Sequence, residues 1–150
     1  MSGVELRGAR PQDVPLIKGI LKAEMLPPLR IREWLETFLV LERDARVLGC
    51  AGIESYGEAI VLRSVVVDPS LRGTGEGIRL IRHALNEARR RGARRAYLFT
   101  GSASGFFSRF GFEECDVGDF EPGARESWQW QFMSSNAEIR AYVTAMRSEL

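Results

Sequence analysis

The segment Leu71-Arg72-Gly73-Thr74-Gly75-Glu76-Gly77-Ile78-Arg79-Leu80 places three glycines on alternate positions, directly ahead of an amphipathic, arginine-rich run. Glycine admits positive φ and keeps side chains out of the way. Successive N–H groups can then converge on one anion. A helix that follows adds N–H groups without intrahelical acceptors and the positive end of its dipole. Such a terminus holds a phosphate without a lysine, and Arg72 supplements the charge. A P-loop would need Gly-Lys-Ser/Thr where Gly77-Ile78-Arg79 stands. The dinucleotide fingerprint would need glycine in place of Ile78 and an acidic residue near Tyr97-Leu98-Phe99. A phosphate ligand of another kind is expected.

A loop of this kind needs regular elements on both sides. Ahead of it, Ala59 to Val67 reads as a strand, and behind it Ile78, Leu80, Ile81, Ala84, Leu85 and Ala88 mark a long helix that stops at Arg91-Gly92. Ala96-Tyr97-Leu98-Phe99 then reads as the next strand, and strand, helix and strand make a right-handed parallel crossover. Upstream, Val4-Glu5-Leu6-Arg7 alternates as a short strand, and Val14, Ile17, Ile20 and Leu21 recur at helical spacing. Ile31, Trp34, Leu35 and Phe38 suggest a second short helix. Two apolar runs, Phe38–Leu41 and Val47–Ile53, flank Arg43-Asp44-Ala45-Arg46 as a hairpin. A short helix around Gly105 to Phe110 leads into Phe112–Cys115. Trp128, Trp130 and Phe132 alternate with glutamines and predict a late strand. Ser135-Asn136-Ala137-Glu138 fits a capping box, and Ile139, Tyr142, Val143 and Met146 follow at helical spacing. That predicts a C-terminal helix over about 134–150, although Glu138 to Met146 also alternates as a strand. The order is that of a single mixed α/β (α+β) domain spanning residues 1–150.

Composition narrows the function. With 45% apolar and 27% charged residues and a net charge of +1, the chain carries no field suited to nucleic acid or an acidic membrane. The basic cluster Arg89-Arg90-Arg91 with Arg94-Arg95 lacks interleaved aromatics and suits a solvated helix end. Cys50, Cys115 and the lone His83 have no metal-type spacing, so no metal is expected. Without a long apolar run or a leader-like N-terminus, a cytoplasmic protein is expected. Arg63 is the residue out of place: an arginine inside an apolar strand requires a partner. That partner is either Glu54 across the hairpin or a carboxylate brought by a ligand.

Arg72-Gly73-Thr74-Gly75-Glu76-Gly77 resembles the acyl-CoA loop, Q/R-x-x-G-x-G/A, of the GCN5-related N-acetyltransferase (GNAT) superfamily. Leu62 to Pro69 is similar to that family's fourth strand, and Thr100, Ala103, Phe107, Gly111 and Phe112 match the spacing of its downstream N-x-x-A-x-x-x-Y-x-x-x-G-F pattern. The resemblance runs from Val4 to about Met133. It implies a mixed, mostly antiparallel sheet of about seven strands whose fourth and fifth strands splay to admit acetyl-CoA as co-substrate. The pantetheine arm would pair with main-chain groups of Val65, Val66 and Val67, and the diphosphate would rest on Arg72, Gly73, Thr74, Gly75, Glu76 and Gly77. A main-chain N–H at Val65 or Val66 would polarise the thioester carbonyl for direct attack by an amine.

The tyrosine with which relatives often protonate the leaving thiolate is Phe107 here, and a phenyl ring donates no proton. Either Thr100 or Ser108 substitutes, or the thiolate leaves unaided. Phe106 and Phe107 would pack along the CoA arm. Glu54, at the end of the third strand, is either the general base acting through water or a solvent-facing carboxylate. Tyr97 to Phe112 resembles the subgroup of N-acetylglutamate synthase-like and arsenic-resistance-linked acetyltransferases, which act on small amino acids. That favours Arg63 as the ligand for a substrate carboxylate. The expected partner is a small-molecule amine, with a protein N-terminus or a silent acyl-CoA-binding role as alternatives. Trp128, Trp130 and Phe132 leave both a monomer and a homodimer open.

Overall fold

A computed structural model describes residues 3–150. Seven strands pair in the order β1-β2-β3-β4-β5-β7-β6. They are β1 (Glu5–Gly8), β2 (Phe38–Arg43), β3 (Arg46–Tyr56), β4 (Ala59–Val67), β5 (Arg95–Thr100), β6 (Glu113–Cys115) and β7 (Thr144–Glu149). The helices are α1 (Val14–Ala23), α2 (Glu76–Arg90), α3 (Ser104–Ser108), α4 (Trp128–Ser135) and α5 (Ala137–Arg140). The β4–β5 pair is parallel, and β1–β2, β2–β3, β5–β7 and β6–β7 are antiparallel. Among the described residues no helix is long and apolar enough to cross a membrane.

The chain divides into two compact units. The first comprises residues through Ile53 together with Arg63–Asn86. Its hairpin closes through Asp44 and Ala45, both at positive φ (52° and 62°), which matches the right-handed twist of β2 and β3. Its core gathers Val14, Ile17 and Leu21 of α1 with Phe38, Val40, Cys50 and Val66 of the strands. Phe38 opposes Gly52 in register, and a Cβ on Gly52 would stand 2.5 Å from the Phe38 ring, so the ring lies directly on the glycine backbone. Arg7 ties β1 to the start of α1 by two bonds to Asp13, at 2.7 and 3.0 Å, and to Glu42 at 2.9 Å. The short helix expected over Ile31 to Phe38 is a turn followed by one 3₁₀ segment, Leu35–Thr37, with Phe38 already in β2.

The second unit comprises Glu54–Leu62 and Glu87–Leu150. Phe120 stacks against Tyr97 and Phe99, with centroids 4.5 and 5.1 Å away, over Ala59, Val61 and Ala145. Two expectations are corrected here. Trp128, Trp130 and Phe132 form no strand; they lie on α4. Ser127 caps that helix by accepting the Trp130 N–H at 3.2 Å, and Trp128 stacks on Phe132 one turn on. The C-terminal helix over about 134–150 is likewise absent. The expected capping box does not form: Ser135 ends α4, α5 is one turn whose N-cap Asn136 makes no side-chain cap bond, and the chain then becomes β7. A helix there would have needed Ile139 and Tyr142 in a core, yet they are 43% and 82% exposed. As a strand, residues 144–149 instead pair with β5 over six positions and with β6 over three.

Candidate functional site

The glycine segment of the first unit forms a turn ahead of α2. Gly73 and Gly75 take φ of 78° and 84°, and a Cβ at either would meet open space. Positive φ, and not crowding, is therefore what requires glycine. Leu71 anchors the turn in the core, and its carbonyl accepts the Thr74 N–H at 3.2 Å and the Thr74 hydroxyl at 2.5 Å. The Arg72 N–H goes to Pro69 O at 3.1 Å, and the Glu76 N–H goes to Thr74 Oγ1 at 3.3 Å. Three amides of the predicted six are thus used within the turn. Those of Gly73, Gly75 and Gly77, and of Ile78 in the first helical turn, have no acceptor among the described residues. The Arg79 N–H makes the first helical bond, to Gly75 O at 3.0 Å. Arg79 also holds the Glu76 carboxylate at 2.7 Å, which neutralises the acidic side chain beside the exposed amides. The arrangement is a concave donor set at a helix N-terminus with exposed Arg72 next to it, chemically fit for a diphosphate.

Immediately upstream, β4 is irregular. Ser64 sits in the left-handed region at φ 56°, a strained backbone for a non-glycine residue inside a strand. Its hydroxyl accepts from Arg63 Nε at 2.9 Å, and its carbonyl accepts the Cys50 thiol at 3.1 Å. Burial pushes that thiol up to about 12, so it stays protonated and able to donate. Beyond Ser64, Val66 is buried while Val65 and Val67 are half-buried. The parallel pairing of β4 with β5 covers Ala59–Val61 opposite Arg95–Tyr97. Arg63 is buried, donates to Leu29 O at 2.5 Å, and lays its guanidinium 5.6 Å from the centre of the Phe38 ring.

The second unit contributes a different cluster. Glu54, on β3, is 1% exposed, so the solvent-facing alternative is overturned. Its Oε1 accepts the Tyr56 hydroxyl at 2.5 Å, and its Oε2 lies 3.5 Å from Gln129 Nε2. Gln129 Oε1 is buried and has no hydrogen-bond partner. The sequence had not singled out Tyr56 or Gln129; Ser127, a good helix start just before Trp128, was the signal for the latter. Phe107 is buried with its ring edge-on to Phe106 at 5.3 Å and Phe112 at 6.0 Å. Phe106 is half-buried. Thr100 Oγ1 accepts the Ala103 N–H at 3.0 Å ahead of α3, and the exposed Ser108 donates to Gly105 O at 2.8 Å.

A family model for the acetyltransferase (GNAT) domain matches residues 34–114. An amino-acid acetyltransferase of Neisseria meningitidis is 26% identical over 146 residues, which is 91% of this chain and 34% of that protein. The fold is similar to N-acetylglutamate synthase from Neisseria gonorrhoeae complexed with coenzyme A and N-acetyl-glutamate, with a TM-score of 0.80, 19% identity, and coverage of 100% of this chain and 36% of that one. It is also similar to a GNAT family acetyltransferase from Brucella melitensis in complex with acetyl-CoA, with a TM-score of 0.58, 28% identity, and coverage of 74% and 83%. The chain spans 22% to 34% of the length of the first amino-acid acetyltransferases it matches.

Proposed function

Since the chain belongs to the acetyltransferase (GNAT) domain family, we propose that it is an acetyl-CoA-dependent N-acetyltransferase acting on the primary amine of a small molecule, with an amino acid as the best-supported acceptor. The observation that carries this reading is the turn at the head of α2, whose Gly73, Gly75 and Gly77 amides have no internal acceptor. These amides take the diphosphate of acetyl-CoA. Main-chain groups of Val65, Val66 and Val67, beyond the positive-φ residue Ser64, take the pantetheine arm, and an N–H at Val65 or Val66 polarises the thioester carbonyl.

The amine nitrogen attacks the thioester carbon. A C–N bond forms, the C–S bond breaks, CoA leaves as its thiolate, and the amine proton passes through water to Glu54. With a thiol pKa of about 8.5 the thiolate is a tolerable leaving group, which fits a chain that has Phe107 where the resembled pattern often has tyrosine. Arg63 is assigned to a substrate carboxylate because a guanidinium recognises that group bidentately. An amino-acid acceptor is supported further by the amino-acid acetyltransferase names of the curated relatives.

Thiol release from acetyl-CoA in a panel of L-glutamate, L-glutamine, L-alanine, a polyamine and a peptide N-terminus tests the reading. One or more carboxylate-bearing amines should raise release above hydrolysis. Arg63→Ala should raise KM about tenfold for those amines and leave KM for the polyamine unchanged. An unchanged KM removes the assigned role of Arg63. If CoA binds and no amine is acetylated, the domain is an acyl-CoA-binding module and the catalytic reading falls.

A further inference from the structure

Gln129 stands at the start of α4 with its Nε2 3.5 Å from Glu54 Oε2. The amide turns its NH2 toward Glu54 and its oxygen away. The oxygen so placed, Oε1, is buried and has no hydrogen-bond partner. An unpaired buried acceptor is costly, and native chains keep few of them. The other carboxylate oxygen of Glu54 already accepts the Tyr56 hydroxyl at 2.5 Å. What this corner of the second unit still offers is an acceptor, so the ligand group that completes it must donate.

We infer that Gln129 Oε1 accepts an N–H of the acceptor amine and seats the amine beside the Glu54 carboxylate. The inference rests on the acetyltransferase reading and deepens it. An ammonium group has only N–H bonds to give, which suits an amide oxygen next to a carboxylate. A bound cation would need more oxygen ligands than one amide and one carboxylate, and no cluster of three metal-ligating side chains exists among the described residues. The seat also sorts amines by their N–H count. A primary ammonium has N–H groups for both Gln129 and Glu54, whereas a dimethylated one has a single N–H to share.

Two substitutions of matched length isolate the oxygen. Gln129→Met and Gln129→Glu both remove the NH2 group, but only glutamate keeps an acceptor. Gln129→Met should raise KM for L-glutamate, or for the best acceptor in the panel, about tenfold, with KM for acetyl-CoA unchanged and thermal stability equal or higher. Gln129→Glu keeps an acceptor but brings a second carboxylate to Glu54, so it should raise the amine KM less than Gln129→Met does. The proposal is overturned if Gln129→Met leaves the amine KM unchanged, or if both variants shift it together. Should Gln129→Met not fold, N,N-dimethyl-L-glutamate against the parent protein decides, with binding about tenfold weaker than L-glutamate expected and equal binding overturning the seat. Should no amine be acetylated at all, the transferase reading fails separately. Intrinsic fluorescence of Trp34, Trp128 and Trp130 titrated with L-glutamate then decides, and either no binding by the parent or equal affinity in the parent and Gln129→Met overturns the seat.

Discussion

Two carboxylates of the second unit each accept a tyrosine hydroxyl, and their surroundings differ in how far they are completed. Glu121 accepts Tyr97 Oη at 2.9 Å and is gripped by Arg95 through both Nε and, at 3.3 Å, Nη2. The Glu121 N–H returns to Tyr97 Oη at 3.4 Å, closing the group on itself. The Arg95 guanidinium holds the Glu121 carboxyl below its ordinary range, against the upward push of burial. Glu54 accepts Tyr56 Oη at 2.5 Å, but the amide that approaches its second oxygen leaves its own oxygen buried and unpaired. A polar cluster that satisfies every member rigidifies a fold. One that leaves a member unsatisfied is kept only if something else completes it. The contrast separates a closed carboxylate cluster from an open one.

Neutralising each carboxylate gives the sharpest break between them. Glu54→Gln should lower kcat by about 100-fold or more, the range of a lost general base. Glu121→Gln should leave kcat/KM within about twofold and instead lower stability by about 1.5 kcal/mol, because Tyr97 and Arg95 lose a charged acceptor. For a chain of this size that is a fall in Tm of about 3–6 °C. Steady-state thiol release and a thermal melt on both variants check the pair. Loss of activity without loss of stability in Glu121→Gln would abolish the distinction.

The two clusters also differ in how readable they were. The crossover from β4 through the glycine turn into α2 and β5 was legible because its signals are local: an apolar run, alternate glycines, a helical stripe and Gly92 as its stop. Arg63 stood out for the same reason, as one charge in an apolar strand. Gln129 was hidden because Trp128, Trp130 and Phe132 alternate like a strand, while Ser127 and the stacking of Trp128 on Phe132 make them a helix. Thr144–Glu149 was hidden because strand pairing with β5 and β6 overrides a local helical spacing. The left-handed backbone of Ser64 is a conformation that its residue type does not announce.

Acid should expose the completed carboxylates next. Asp13 is held below its ordinary range first by its side-chain bond with Arg7, as Glu121 is by Arg95. A group whose folded pKa is depressed contributes stability that is whole above its unfolded value and is lost as pH falls through its folded one. The Tm of the parent protein should therefore hold above about pH 5 and decline steadily below about pH 4. Asp13→Asn and Glu121→Gln should each start from a lower Tm at neutral pH and show a shallower acid decline. A variant whose acid decline runs parallel to the parent's would show that its carboxylate is not gripped in the folded state.

The smallest effect comes from the hydroxyls themselves. Tyr97 is 1% exposed, and its ring is fixed by Phe120 whether or not the oxygen is present. Tyr97→Phe should therefore cost about 1 kcal/mol of stability, the worth of one hydrogen bond, with no kinetic signature. Tyr56→Phe removes the donor that fixes one oxygen of Glu54. If that carboxylate serves the reaction, its loss of orientation should reach the rate, with kcat/KM falling about fivefold, the kinetic equivalent of a comparable free energy. Equal behaviour of the two phenylalanine variants in both assays would mean that the hydroxyls play one role in both places, and the division between a closed cluster and an open one would then have to rest on Gln129 alone.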